Sequence, residues 1–394
     1  MSMTRTYLDW NASAQVYPEV VEAMTAVLLA GGNASSVHRE GRNARNKIEA
    51  ARDQVAQLIN AVASSIIFTS GGSEANSLAL SGLAGNGSID RVMISTIEHP
   101  SVLASANLQG IELSYLNVDE DGIIKLDELE AALIKAATAN ERVVLSIMWA
   151  NNETGVLQPI ADIVKLAREN GALVHCDAVQ AVGKVAVDFI SSGVDLMSLS
   201  AHKIGGPQGI GALVVRPSVV LAPIIKGGGQ ELGRRAGTEN LSGIVGFGVA
   251  AKLCANDNQG TQTAELHRKL ESEIKNIRSD AVIFGEGQKR LPNTTCVTVA
   301  GTTAETLLIM LDLAGIAVSS GSACSSGKVT TSHVLTAMGV EETLAKSAVR
   351  ISLGRTTTRE DIEKFIDVWS KAVGTKPNQI KTNEKISELI DGSG

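Results

Sequence analysis

The stretch LMSLSAHKIGG runs from Leu196 to Gly206 and decides how the rest of the chain is read. Leu196–Ser200 has the composition of a buried strand, yet His202 and Lys203 follow at once, and Gly205 and Gly206 close the segment. An ammonium group at the end of a buried strand needs a reason. Either the side chain snorkels along its aliphatic stem to water, or desolvation lowers its pKa so that the free amine can attack a carbonyl. The surrounding segments choose between the two.

Working outward, the same pattern recurs. Apolar runs at Ser65–Ser70, Arg91–Ser95, Arg142–Ala150 and Ala172–Ala178 precede turns and helix-periodic segments, and Gly211–Arg216 is one more such run. Near-continuous apolar strands separated by helices imply an α/β fold with a mostly parallel central sheet flanked by helices. Ligands in such sheets bind beyond the carboxyl ends of the strands. The pattern changes after about Ala250. A long charged helix carries Leu266, Leu270, Ile274 and Ile277 at helical spacing, and a smaller α+β domain follows. The expected division is a large domain over 16–250, a small domain from 1–15 and 251–373, and a peripheral polar tail over 374–394.

The chain is long enough, at 394 residues, for a large domain with a real core and a second, smaller one. Aromatic residues are only 3%, so that core must be aliphatic. A net charge of -7 without a basic cluster argues against nucleic acid as a partner. No apolar run reaches membrane-spanning length and no secretory h-region opens the sequence, so a cytoplasmic location without membrane attachment is expected. The four cysteines form no CxxC pair, which leaves no zinc or dithiol motif and no expected metal.

The strand ends carry the chemistry. HCDAVQ (His175–Gln180) places His175 and Asp177 on one strand face. An aspartate there can pair with a protonated pyridine nitrogen, the partner that pyridoxal 5'-phosphate (PLP) needs to act as an electron sink. Gln180 can donate to the ring hydroxyl; the competing reading of Asp177 is a loop cap. FTSGGSEAN (Phe68–Asn76) is a strand, a glycine turn and a helix start with Ser73 as N-cap, suited to a phosphate or simply a strand-to-helix turn. STIEHPS (Ser95–Ser101) offers His99 to lie on an aromatic ring, or as a structural histidine, and WANNETG (Trp149–Gly155) ends a strand with two amides, Asn151 and Asn152. A cradle, a stacking ring, amides, a carboxylate and an amine on one sheet edge are hard to read as separate accidents.

Two further segments lie in the second half. AVSSGSACSSGKVTTSH (Ala317–His333) surrounds Cys324 with serine and glycine, so this thiol has little core to enter and suits a reactive loop, with Lys328 favouring the thiolate. GSACSSGK is not a phosphate-binding P-loop, because five residues separate its glycines and Val329 stands where Ser or Thr is required. AVRISLGRTTT (Ala348–Thr358) ends a strand at Arg355, either a grip for a substrate carboxylate or a turn-capping surface arginine.

Taken together, YLDWNASA, SSGSAC, LSAHKIGGPQGIGAL, HCDAVQAVGK, NNETGV and RAGTEN resemble the cysteine desulfurases, a branch of the class V PLP-dependent aminotransferase superfamily, over Tyr7 to about Val373. The resemblance implies the PLP-dependent transferase fold of type I and removal of sulfur from L-cysteine, leaving alanine and a persulfide on Cys324. It implies that Lys203 bonds covalently to PLP and later moves protons, that Asp177 meets the ring nitrogen, Gln180 the ring hydroxyl, and that His99 stacks on the ring and, with Lys203 and Cys324, is a catalytic residue that handles protons. Gly72, Ser73, Ser200 and His202 would hold the phosphate. Thr238 would reach the cofactor of the other subunit in a homodimer, and Asn152 and Arg355 would bind the substrate carboxylate. An iron–sulfur scaffold or another sulfur acceptor is the implied protein partner. NASAQ (Asn11–Gln15), Ala34 and Ser77 depart from the usual family pattern without removing a catalytic group. Another PLP enzyme of the same class, such as an aminotransferase or selenocysteine lyase, and a non-catalytic protein that keeps the fold, are the rival readings.

Overall fold

The structure, a computed structural model, describes residues 5–256, 260–320 and 331–374. Cys324, Lys328 and the tail from residue 375 onward lie outside the described residues.

Among the described residues, thirteen strands fall into three sheets. The largest is built from β2 (Ile66–Thr69), β3 (Arg91–Ser95), β4 (Glu112–Leu116), β5 (Val143–Met148), β6 (Leu173–Asp177), β7 (Leu196–Ser200) and β8 (Gly211–Val215), in the order β2-β8-β7-β6-β5-β3-β4. The expected mostly parallel sheet is present, and β8 is its exception, antiparallel to both β2 and β7. The reason is the connection: only residues 201–210 join β7 to β8, too few for a parallel crossover. Buried aliphatic residues cover both faces, Leu145, Ile147 and Met197 facing one core and Ile94, Val144 and Leu213 the other.

A four-stranded sheet of β9 (Val282–Ile283), β10 (Thr294–Thr298), β12 (Ser319–Ser320) and β13 (Val349–Ser352) has the order β12-β13-β10-β9 and is antiparallel throughout. The helix Arg359–Val373 packs its buried Ile362, Phe365, Trp369 and Val373 into the core beside this sheet. A capping box of Thr358 and Asp361 fixes the start of that helix.

The N-terminal residues tie the two sheets together. β1 (Thr6–Tyr7) pairs in parallel with β11 (Ile316–Ala317), and Asp9 bridges Ser352 of β13. The chain then crosses to the large sheet, where Ala14 N donates to His202 O (2.8 Å) and Tyr17 N to Gly205 O (3.0 Å). The strap at residues 9–14 therefore runs directly over the segment that carries Lys203. Among the described residues, no helix is long and apolar enough to cross a membrane.

Candidate active site

Register determines what meets at the carboxyl edge of the large sheet. β3, β5, β6 and β7 are mutually parallel, and β2 runs with them because two antiparallel pairings separate it from β7. The turns after these strands deliver Gly72, Glu98 with His99, Asn152, Asp177 and Lys203 to one edge.

Lys203 ends a single 3-10 turn, Ala201–Lys203, and its amine points into the strap rather than into bulk water. Nζ donates to the carbonyls of Asn11 (2.6 Å) and Ala12 (3.0 Å). Burial and then the nearby Arg350 push its pKa down to about 8, against the opposing pull of Asp9 and Asp177. The free base is therefore populated near neutral pH, which answers the question posed by LMSLSAHKIGG.

Asp177 closes β6 and is buried. Its Oδ2 accepts from Asn76 Nδ2 (2.8 Å) and its Oδ1 from Val179 N (3.0 Å), so the carboxylate is held in one orientation. His175, two residues earlier, is locked between Ser146 Oγ (2.8 Å) and Ser198 Oγ (2.9 Å), and burial lowers its pKa to about 4. It is a neutral structural member of the sheet.

The helix Gly72–Gly85 begins two residues earlier than the expected Ser73 cap implies. Gly71, not Ser73, occupies the N-cap, and Ser73 sits in the first turn. Its first N–H groups precede the first helical bond, Ala75 N to Gly71 O (3.1 Å), and Gly72 and Ser73 line a cavity of about 280 Å³ together with Ser200 and His202. Glycine is required where the backbones converge: a Cβ at Gly72 would stand 2.9 Å from Val179 Cγ2, and one at Gly211 2.6 Å from the Gly71 carbonyl carbon. Glu74 also borders this space, but Arg235 grips its carboxylate (2.9 and 3.3 Å), so its charge is compensated. His202, near Ser13 Oγ (3.3 Å), is held neutral, with its pKa lowered to about 4 by burial and by Lys203 and Lys184.

His99 caps the short helix Pro100–Ser105, its Nδ1 accepting from Ser101 N (3.1 Å). Its ring remains accessible, while the surrounding walls lower its pKa against the attraction of Asp177. The preceding Glu98 escaped the reading of the sequence. It is fully buried, accepts from Ser95 Oγ (2.6 Å) and Met148 N (2.9 Å), and burial raises its pKa to about 8.

Arg355 differs from expectation. Its guanidinium lies 4.0 Å from the Tyr17 ring centroid and 5.6 Å from that of Trp10, and it donates to the carbonyls of Gln15 and Val16. Arg350, five residues earlier on β13, is the arginine whose charge acts on Lys203. It donates to Asn152 O (3.1 Å) and Asp9 Oδ1 (2.7 Å), while its buried Nε has no partner among the described residues. Alternation on β13 could have revealed it, since Val349 and Ile351 flank an arginine in an otherwise apolar run.

Gln180 is buried and donates through Nε2 to Asn11 O (2.9 Å). Thr238 is exposed and borders a neighbouring space with Ser70 and Gly209 instead of the cradle itself. A larger cavity of about 910 Å³ shares Lys203 with the site, but His99, Asp177, Asn152 and Arg350 are not among its lining residues. Size therefore does not mark the place where the chemistry is assembled.

The arrangement suits PLP on the chemistry of its donors: an anion cradle at a helix start, a fixed carboxylate, an accessible ring and a desolvated amine. Comparison with known proteins agrees. The sequence profile of the Aminotransferase class-V family matches residues 6–365. A cysteine desulfurase of Cereibacter sphaeroides is 44% identical over 93% of this chain and 95% of its own length. The cysteine desulfurase IscS of Dictyoglomus turgidum is 41% identical over 93% and 94%. The crystal structure of a NifS-like protein from Rickettsia africae superposes with a TM-score of 0.85 at 37% identity, covering 93% of this chain and 99% of that one.

Proposed function

The chain belongs to the class V aminotransferase family and is a PLP-dependent cysteine desulfurase, and from that premise we propose which of its residues perform the reaction. Bound PLP supplies an electron-withdrawing ring conjugated to the amino acid it carries. Gly72, Ser73, Ser200 and His202 hold the phosphate at the helix start. Asp177, fixed by Asn76, keeps the ring nitrogen protonated; Gln180 meets the ring hydroxyl and His99 lies on the ring face. Lys203 provides the amine that links the cofactor and then takes and returns the proton at the substrate Cα. The single observation that carries this reading is the Lys203 amine, desolvated and held on the sheet edge that also presents Asp177.

We assign the substrate carboxylate to Asn152 and Arg350. The carboxylate sits on the same carbon as the amine that replaces Lys203, so the arginine whose field Lys203 feels is the one placed to receive it. Arg355, occupied by the rings of Trp10 and Tyr17, is the competing assignment.

Cys324 takes the sulfur. The C–S bond of L-cysteine breaks and an S–S bond forms on the Cys324 thiol, giving L-alanine and a persulfide with atoms and electrons balanced and no outside oxidant. An iron–sulfur scaffold or another cytoplasmic sulfur acceptor then receives it. The protein acts as a homodimer in which exposed Thr238 reaches the partner subunit's phosphate. Exposed Leu28, Leu29, Val37 and Leu232 (68%, 85%, 87% and 78% accessible) supply apolar surface for that association.

Mass spectrometry after brief exposure to L-cysteine, with borohydride reduction in a parallel sample, tests the reading. The expected result is PLP fixed to Lys203 and one extra sulfur on Cys324. A Cys324→Ala variant that forms persulfide at the full rate would refute the sulfur-accepting role.

A further inference from the structure

A second lysine lies behind the first. Lys184 Nζ donates to Asn11 Oδ1 (2.9 Å) and to Gln180 Oε1. Gln180 Nε2 in turn donates to Asn11 O (2.9 Å), the same carbonyl that accepts the Lys203 amine at 2.6 Å. The three side chains close a ring around one carbonyl oxygen. Asn11 is itself 1% exposed and anchored from the other side, its Nδ2 donating to Thr294 Oγ1 (2.9 Å) and its Oδ1 accepting from Asn293 Nδ2 (3.3 Å). The desulfurase reaction as derived above makes no use of Lys184.

We propose that Lys184 is a positioning residue: through Asn11 and Gln180 it holds the Asn11 carbonyl as the dock for the Lys203 amine whenever that amine is not bonded to the cofactor. Lys203 must be released when substrate replaces it and must return when alanine leaves. A flexible four-carbon stem without an acceptor would sample many rotamers in that interval. The dock, with the neighbouring Ala12 carbonyl at 3.0 Å as a second acceptor, restricts it to one. Other charged or titratable groups around the amine are Arg350 on β13, Asp9 on the strap, Asp177 on β6 and His202 in its own turn. Of these, none supplies the carbonyl that Lys184 fixes. The pKa of Lys184 is itself lowered well below its usual value by burial and by the charges of Lys203 and Arg350, and it serves as a hydrogen-bond donor to Asn11 and Gln180.

The inference rests on Lys203 being the cofactor-linking amine, and the experiment separates the two claims. The full chain is stripped of PLP and mixed with it, and covalent uptake is followed by absorbance, with borohydride reduction locating the link. A link on Lys203 in the unaltered protein supports the reading above; a link elsewhere overturns both claims. The inference itself is read from the ratio of uptake rates. Lys184→Met and, separately, Asn11→Ser are expected to slow uptake about 3- to 10-fold, the worth of one ordered hydrogen bond. In both holoenzymes kcat should fall by a similar factor, and in Lys184→Met, which touches no substrate contact, KM for cysteine should stay within about twofold; Asn11→Ser also loses the 3.3 Å bond from Asn11 Nδ2 to Asn152 O, so its KM is not part of the test. Thermal melting identifies a variant that is simply unfolded, and the other variant then decides. Normal uptake in a folded variant overturns the proposal. So does slowing in Lys184→Met alone, because the effect would then run through Gln180 without Asn11.

Discussion

The carboxyl edge of the seven-stranded sheet and the four-stranded sheet beside it keep ionisable groups in opposite ways. At the large sheet's edge burial acts on single groups: His175 is lowered to about 4, Glu98 raised to about 8 and Lys203 lowered to about 8. On the small sheet's side charges are kept and paired. Arg350 holds Asp9 at 2.7 Å, and Arg290 holds Glu271 through two 2.8 Å contacts. Glu271 stays at about 2, hydrogen bonds from His267 and Arg290 outweighing the effect of its burial. The difference teaches where proton chemistry can occur. Burial brings Glu98 and Lys203 to where each can exchange a proton near neutral pH and holds His175 neutral, whereas a paired ion keeps its charge and can orient a substrate.

The sharpest way to break this contrast is to remove the amine at its centre. Lys203→Ala should lower turnover by on the order of 10³-fold or more and abolish the borohydride-stable link to PLP, read by activity assay and mass spectrometry. Retention of both would end the argument. Next, Arg350→Lys keeps the charge but loses the forked donor geometry, and kcat/KM for cysteine should fall about 10- to 100-fold, chiefly through KM. Arg355→Lys should change it by only a few-fold; the opposite ranking would restore Arg355 as the carboxylate grip.

A third test concerns stability. The folded pKa of Glu98 lies above its unfolded value, so the folded chain retains a proton that the unfolded chain releases. That contribution is full below about pH 4.5 and is lost as pH rises towards 8. Between about pH 6.5 and 8, Glu98→Gln should therefore reduce the loss of stability by about 1–2 kcal/mol, seen as a shallower fall in Tm. Parallel melting profiles would show that Glu98 is not held neutral. The smallest effect belongs to an ion pair left in water: Lys371→Ala, which breaks the exposed pair with Asp367, should alter stability by less than about 0.5 kcal/mol in the same melts.

Much of this was legible in the sequence, because strand ends announce themselves locally. Apolar runs that stop at Asp177 or shortly before Lys203 contain both the element and the anomaly within a few residues. The orientation of β8 followed less readily, because it depended on the length of a connection rather than on the run itself. Arg350 and Arg355 share one short segment, and composition alone could not tell which would face the amine and which the rings of Trp10 and Tyr17. Asn11 was hardest of all. Its partners Asn152, Gln180, Lys184, Asn293, Thr294 and Ser352 lie 141 to 341 positions away, so no local pattern marks it.

That last separation has a consequence for synthesis. Asp9 and Asn11 are made 341 positions ahead of their partners Arg350 and Ser352. A nascent chain can assemble the large sheet and still lack its arginine and the anchors of its docking carbonyl. The enzyme therefore stays silent until Ser352 has been made, and a product truncated before Arg350 should liberate no sulfur.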